Sequence, residues 1–532
     1  MTTTVAEAYG VKGRGTNIFH DHTVKPDRCK PGTTAFRAVV LGICTGLLST
    51  SCIAAAASVT ERGEHVTDPM ALRLMSFNIE WGGTHVRFDS VAEAIRISGA
   101  EIVGVQEAEG NLARLAAELG WYYDLRSYVI SRYPVIAPEA AGGKYALVEV
   151  RRGEVVALAN VHLPSTPSGA AWLRAGRTPE QVVAMERRVR LVVMQPFIAP
   201  LPALAAKGLP VFLSGDFNAP SHEDWTEATI GRFPHRDHTV AWPVTQAVAA
   251  AGLRDAFRDI HSDPIAHPGF TWWAARPRIR DYNPTDTTRR SRIDFLWYGG
   301  SDRVLDSHLV GEADAAEVAV SVTPWPSDHR AVVADFEVTP APMPVLIAAE
   351  HEVHTSGNPF RFFWRNTSPR GTLVLERRAA KPITERRIAV EGEFGHLQLP
   401  DRFLVPGEYE VALHDSQGVE VSRDAFWIVA PDAEPLVAVP KHRFTSGEAV
   451  PVAWENGPGH RYDWIGIFEA GHAESRDYRA WAYVGARSSG ALTLTQSNAE
   501  GGWPLPPGTY VARFLLDDGF TLLAESEPFT VE

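Results

Sequence analysis

The run Pro210-Val211-Phe212-Leu213-Ser214-Gly215-Asp216-Phe217-Asn218 is short, apolar at its start and polar at its end. Such a run reads as a buried strand, and here it hands an acid and an amide to the turn that follows. The same form recurs upstream. Leu72–Phe77 is followed by Asn78, Ile102–Val105 by Gln106 and Glu107, and Val155–Val161 by His162. Two further runs are reversed: Asp294 opens the one ending at Tyr298, and Asp328-His329 precedes Ala331–Phe336. If those two strands run antiparallel to the other four, all these polar residues meet on one rim. Helical periodicity in Val91–Ile97, Asn111–Leu119 and Pro179–Pro196 alternates with the runs, which gives an α/β domain of mixed sheet. In the third helix, Arg187, Arg188 and Arg190 read as lying on or near a solvated face.

Such a rim is chemically demanding. Several carboxylates crowded with two imidazoles repel one another unless a cation sits among them, and an oxygen-rich set suits Mg²⁺, Mn²⁺ or Ca²⁺. Phe77-Asn78-Ile79, Val105-Gln106-Glu107, Val161-His162-Leu163, Ser214-Gly215-Asp216-Phe217-Asn218, Arg292-Ile293-Asp294-Phe295 and Ser327-Asp328-His329 follow in order along the chain. In that order they resemble the motifs of the endonuclease/exonuclease/phosphatase superfamily. The resemblance covers roughly residues 72–338. It implies a DNase I-like two-sheet α/β sandwich and a divalent-metal-dependent phosphoric ester hydrolase, with Mg²⁺ the first expectation and Mn²⁺ or Ca²⁺ as alternatives. On that resemblance Glu107 binds the metal, with Asp328 and Asn78 near it. Asp216 orients or deprotonates the attacking water, and Asn218 holds the phosphate. His329, its ring fixed by Asp294, acts with His162 on the developing charge or the leaving oxygen. The carboxylate that orients the equivalent of His162 in DNase-like members has no identifiable counterpart in this sequence.

The substrate is left open among three classes. Arg276, Arg278, Arg280, Arg289, Arg290 and Arg292 crowd between Trp272-Trp273 and the Asp294 motif. A loop of that charge suits extra phosphates or a nucleic-acid backbone, with Arg289, Arg290 and Trp273 as the candidate substrate contacts. This favours a nuclease-like enzyme on DNA or RNA, or a general phosphodiesterase. A phospholipid or small-molecule phosphoesterase of the sphingomyelinase or inositol-phosphatase type is the second class. A binding protein on a decayed scaffold is the third, disfavoured because every motif residue is present.

Beyond residue 340 the pattern turns all-β and repeats itself. Thr355-Ser356-Gly357 returns as Thr445-Ser446-Gly447 and Trp364-Arg365-Asn366 as Trp454-Glu455-Asn456, both 90 residues on, while Pro406-Gly407-Glu408-Tyr409 returns 101 residues on as Pro507-Gly508-Thr509-Tyr510. Two immunoglobulin-like β-sandwiches, residues 341–431 and 432–532, follow an α/β domain of residues 70–340, joined by the stiff segment Thr339–Pro344. Asp463-Trp464-Ile465-Gly466-Ile467-Phe468 in the second copy resembles the aspartate-tryptophan strand motif of immunoglobulin-like domains that accompany some phosphoesterases. Envelope or partner-protein binding is the expectation for these domains. Charge is uneven: of the net −13, the repeated part carries −9 and residues 71–340 carry −5, so no basic block grips a polyanion by charge alone. Cys29, Cys44 and Cys52 are the chain's three cysteines, which excludes a disulfide framework or thiolate metal site beyond residue 52. The apolar run Ala38–Leu48, followed by small residues, fits an export signal within residues 1–69, with lipidation of Cys52 as a variant and no transmembrane helix in the mature chain.

Overall fold

The computed structural model describes residues 68–234, 236–275, 290–300, 302–400, 404–471, 476–499 and 502–532. The expected export signal, the cysteines and Arg289 lie outside the described residues. In the first part of the chain the strands are β1 (Met70–Asn78), β2 (Ile102–Gln106), β3 (Tyr122–Asp124), β4 (Val129–Ser131), β5 (Val135–Ile136), β6 (Ala146–Arg151), β7 (Glu154–His162), β8 (Val211–Asp216), β9 (Arg254–Asp255), β10 (Asp294–Gly299), β11 (Arg303–Gly311), β12 (Val318–Ser321) and β13 (Ala331–Val338). They make two mixed sheets, ordered β12-β11-β13-β1-β2-β4-β3 and β5-β6-β7-β8-β10-β9. β1 runs parallel to β2 and antiparallel to β13, while β8 runs parallel to β7 and antiparallel to β10. The two reversed runs therefore do point against the others.

Alternation along each strand sorts the side chains into layers. Leu72 and Leu74 of β1 meet Val156 and Leu158 of β7, Phe212 of β8 and Leu296 of β10 in a core between the sheets. Met75 and Phe77 take the opposite face and pack under the helices Phe88–Ser98 and Leu112–Leu119. The outer face of the second sheet, with Ala157, Val161, Leu213 and Trp297, is covered by Met194, Phe197, Ile198 and Leu201. Those four belong to the helical run Pro179–Ala206, which is long and apolar enough to cross a membrane by length and composition but here seals a sheet. A π-helical turn at Arg187–Leu191 interrupts its spacing. Arg187 and Arg188 are exposed, as read from the sequence. Arg190 is not. It is fully buried, paired with Glu186 at 2.8 Å and donating to the carbonyls of Ser165 at 3.0 Å and Pro167 at 2.8 Å, so it ties down the loop after β7.

The segment 339–344 also differs from a free linker. Ala341–Pro342 forms a strand, β14, antiparallel to the start of β7, and the Met343 N–H donates to the Gly153 carbonyl at 2.8 Å. Met343 itself is buried in the core of the second sheet, because an apolar side chain beside an open sheet end gains more by burial than by solvation.

The rest of the chain is nearly all β among the described residues. A three-stranded sheet (Leu346–Ala349, Phe360–Arg365, Phe394–Leu399) faces a five-stranded one that includes Gly407–His414 and Glu420–Val429. A second three-stranded sheet (Leu436–Ala438, Val450–Glu455, Gly490–Leu494) then faces a six-stranded one that includes Trp464–Glu469 and Gly508–Leu515. The repeat explains itself in these terms. Trp364 and Trp454 sit buried in the middle strand of the two smaller sheets. Tyr409 and Tyr510 each donate a 2.8 Å hydroxyl bond to a carbonyl four residues back, Val405 and Pro506, pinning the turn that feeds the strand.

Both β-rich parts pack on the first. Leu346, Ala348 and Phe363 extend the core of the second sheet. Farther on, the Arg461 N–H donates to the Leu125 carbonyl at 3.2 Å, and Tyr462 packs tilted against Tyr128 with ring centres 5.0 Å apart. Asp463 accepts the N–H groups of His460 at 2.9 Å and Asp517 at 3.1 Å, and the Trp464 indole donates to the Gly519 carbonyl at 2.9 Å. The Asp463-Trp464 pair thus shapes the two loops that touch the α/β domain.

Candidate active site

Toward one end of the sandwich, the inward-facing residues change character in step. Along β1 they read Leu72, Leu74, Ser76, Asn78; along β7 Val156, Leu158, Asn160, His162; along β8 Phe212, Ser214, Asp216; and along β10, taken backward, Tyr298, Leu296, Asp294. An apolar layer gives way to a small polar layer and then to the rim. In the polar layer Gln106 Nε2 donates to Asn160 Oδ1 at 2.7 Å, which also accepts the Ser214 hydroxyl at 3.0 Å, while Asn160 Nδ2 reaches the Val105 carbonyl at 2.8 Å in the facing sheet. The sheets come so close here that a Cβ on Gly104 would lie 2.0 Å from Ser214 Oγ.

On the rim, Asn78 Nδ2 donates to both Glu107 Oε1 at 2.9 Å and Asp216 Oδ2 at 3.1 Å, and its oxygen accepts the Glu80 N–H at 3.0 Å. Glu107 and Asn218 follow their strands with φ of 55° and 48°, left-handed conformations that hold the side chains back over the cleft. Asn218 gives Asp216 both its backbone N–H at 2.8 Å and its Nδ2 at 3.1 Å. Asp294 stands beside Asp216 in the β8–β10 ladder and accepts His329 Nδ1 at 2.9 Å, which turns His329 Nε2 toward Asp216 at 3.8 Å and Asp328 at 3.8 Å. His162 pairs with Asp216 in the β7–β8 register and places Nε2 3.6 Å from Asp216 and 3.7 Å from Glu107.

Electrostatics follows the crowding. Burial pushes Glu107 up, but His162, His329 and the Asn78 amide together bring its carboxyl below the ordinary value. Asp216 is pushed up to about 6, by burial first and by Asp294 second, against the pull of both imidazoles. Burial opposes a charge on His329, yet Asp294, Asp216 and Asp328 raise it well above a free imidazole. Glu107, Asp216 and His329 offer ligand atoms that all lie within 4.8 Å of one another. His162 Nε2 is buried with no hydrogen-bond partner among the described residues. Two acids bridged by one amide, beside an orphaned ring nitrogen, fit a hard cation and a phosphate oxygen.

All the strand-end residues singled out from the sequence therefore converge, and Asp328 joins them through the Trp272 indole, which donates to Oδ2 at 3.3 Å. Supporting groups were less visible. Glu80 is buried and accepts the Asp328 N–H at 3.1 Å, and the Thr271 hydroxyl accepts the N–H groups of Ile293 and Asp294 at 3.1 Å each. Trp273 and Arg290 are half-buried at the two ends of the arginine-rich segment, most of which lies outside the described residues. Arg292 is a correction: it faces the interior, bonded to Asp224 at 2.9 Å and Asp255 at 2.6 Å, and carries no charge to the cleft.

Residues 75–329 match the family model of the endonuclease/exonuclease/phosphatase family. The chain carries an endonuclease/exonuclease/phosphatase domain. A Caenorhabditis elegans protein described as uncharacterized is 29% identical over 290 residues, half of this chain and 91% of that protein. Among solved structures, an endonuclease/exonuclease/phosphatase from Beutenbergia cavernae is 15% identical with a TM-score of 0.32, covering 67% of this chain and 99% of that one. A TDP2 from D. rerio, complexed with single-strand DNA product, is 14% identical with a TM-score of 0.30 over 50% of this chain and 98% of its own. A mannosyl-6-phosphatase from Bacteroides thetaiotaomicron is 14% identical with a TM-score of 0.29, over 50% of this chain and 99% of its own. The family matched by residues 75–329 is one of phosphoester hydrolases, and the rim described above is a possible metal site.

Proposed function

We propose that the chain is an exported, divalent-metal-dependent phosphodiesterase of nuclease-like type. The observation that carries the reading is the single cleft in which Glu107, Asp216 and the Asp294–His329 pair meet His162. Glu107 would hold the cation, with Asp216 or Asp328 completing its oxygen set. When bound, that cation supplies charge neutralisation on the phosphate oxygens. The chain's own groups do the rest. Asp216, held by both donors of Asn218, accepts a proton from the attacking water. Asp294 fixes the tautomer of His329, so that Nε2 faces the cleft as a charged donor for a phosphate oxygen. His162, on the neighbouring strand, is placed to donate to a second oxygen or to the leaving group. Asn78 braces the two acids at a fixed separation.

Hydrolysis of bis(p-nitrophenyl) phosphate is expected with Mg²⁺, Mn²⁺ or Ca²⁺ and lost in EDTA, with turnover down by about 10² or more in Asp216→Ala. Turnover that persists unchanged in EDTA or in that variant overturns the mechanism. Export belongs to the same proposal and rests on the Ala38–Leu48 run. Fractionation that finds the protein wholly in the cytosol removes it.

A further inference from the structure

A cavity of about 1050 Å³ opens where the endonuclease/exonuclease/phosphatase domain meets both β-rich parts. His162 forms part of one wall, and the opposite walls come from the C-terminal half, including Trp427, Arg461, Tyr462, Trp481 and Arg487. The Tyr462 hydroxyl lies against the backbone amide of His162. The cavity and the catalytic rim thus share His162.

Its charges are not evenly matched. Four acids line it, and each has a partner: Glu352 and Glu139 pair with Arg126, Glu408 with Arg378 at 2.6 Å, and Asp518 accepts the Tyr483 hydroxyl at 2.7 Å. Three cations on the same walls, Lys144, Arg461 and Arg487, have no carboxylate within salt-bridge distance among the described residues. Two of them converge. Lys144 Nζ lies 4.7 Å from the centre of the Phe197 ring and the Arg461 guanidinium carbon 4.4 Å from the same centre. Burial first, and then the Arg461 charge, lower Lys144 from its ordinary value. Arg461 is held in place by the carbonyls of Arg126 at 3.2 Å and Asn160 at 3.3 Å, so its charge stays at the wall. Two cations against one aromatic ring on a cavity wall, with no carboxylate in salt-bridge distance among the described residues, suit an anion from outside.

We propose that this cavity receives a second phosphoryl group of the substrate, gripped by Lys144 and Arg461, while the scissile phosphate sits on the rim beside His162. The inference rests on the phosphoesterase reading and narrows it to phosphoesters bearing at least one further phosphate. The aromatic walls hold whatever links the two groups. The C-terminal part then contributes to substrate choice directly, through Arg461.

The test compares wild type with Lys144→Gln and Arg461→Gln on three substrates: bis(p-nitrophenyl) phosphate with one phosphate, a 5′-phosphorylated thymidine dinucleotide, and an inositol bisphosphate. The expected result is a fall of about tenfold or more in the kcat/KM ratio of a two-phosphate substrate to the one-phosphate diester, carried by KM. Whichever of the two shows the fall identifies the source of the second phosphate. An unchanged ratio for both overturns the proposal. Calorimetric binding of pyrophosphate in EDTA separates the two layers of the argument. Binding weakened about tenfold by Lys144→Gln supports the anion site even if no ester is turned over, in which case only the phosphoesterase reading fails. Binding equal in wild type and variant overturns the site even if hydrolysis is found.

Discussion

Asp294 touches His329 and, in the ladder, stands beside Asp216, so one carboxylate sets both the tautomer of the imidazole and the acidity of its neighbour. Asp294→Asn keeps the shape and removes the charge. We expect turnover to fall by about 10²-fold or more with far-ultraviolet circular dichroism unchanged, and a wild-type rate would dismiss the orienting role. Gly104 makes a different demand, of space rather than charge. A methyl group there has Ser214 Oγ at 2.0 Å and Asn160 Oδ1 at 2.7 Å, so Gly104→Ala forces the two sheets apart where the polar layer binds them. A loss of roughly 1–3 kcal/mol in urea unfolding is expected, the usual cost of overpacking.

Strand by strand, the sequence reveals what alternation controls and hides what partners control. Asn78, His162 and Asp216 were readable because each ends an apolar run on the inward parity, and Asp294 and His329 because antiparallel pairing brings their strands' starting ends to that rim. Asn160 has the same parity one step earlier, but a single amide inside Val155–Val161 reads as part of the strand, and its meaning appears only when Gln106 and Ser214 face it. Arg190 and Arg292 failed for another reason: a charge in a sequence is solvated by default, and only the fold supplies Glu186 to one and Asp224 with Asp255 to the other. The Asp224 cluster has its own pH signature. Burial pushes the Asp224 pKa up, yet Arg292 and Arg258 overcome it and bring that pKa below its value in the unfolded chain. Its contribution is thus complete above the unfolded value of about 3.9 and disappears as pH falls through the lower folded value. Urea midpoints are expected to drop below about pH 4. In Asp224→Asn, which takes the carboxylate from the buried Arg258 and leaves Arg292 with Asp255 alone, they should already be lower at pH 7 by a shift worth roughly 3–5 kcal/mol.

At the level of the molecule, the β-rich half is continuous with the site and not merely tethered to it. Tyr462 and Arg461 reach the backbone beside His162 and Asn160, and the Gly110 N–H meets Asp517 at 2.5 Å. Removing residues 341–532 would uncover the start of β7 and the part of the second sheet's core that Met343 and Leu346 complete. The shortened chain is expected to melt lower and to lose turnover, rather than to keep full activity with altered location. The strand Ala341–Pro342 carries this further. Because the connection is hydrogen-bonded into one domain and its next residue is buried in that domain's core, the first sandwich has no slack through which to unfold alone. The chain then behaves as a calorimetric unit larger than any of its folds: a single endotherm, with a van't Hoff enthalpy approaching the measured one, in place of separate transitions.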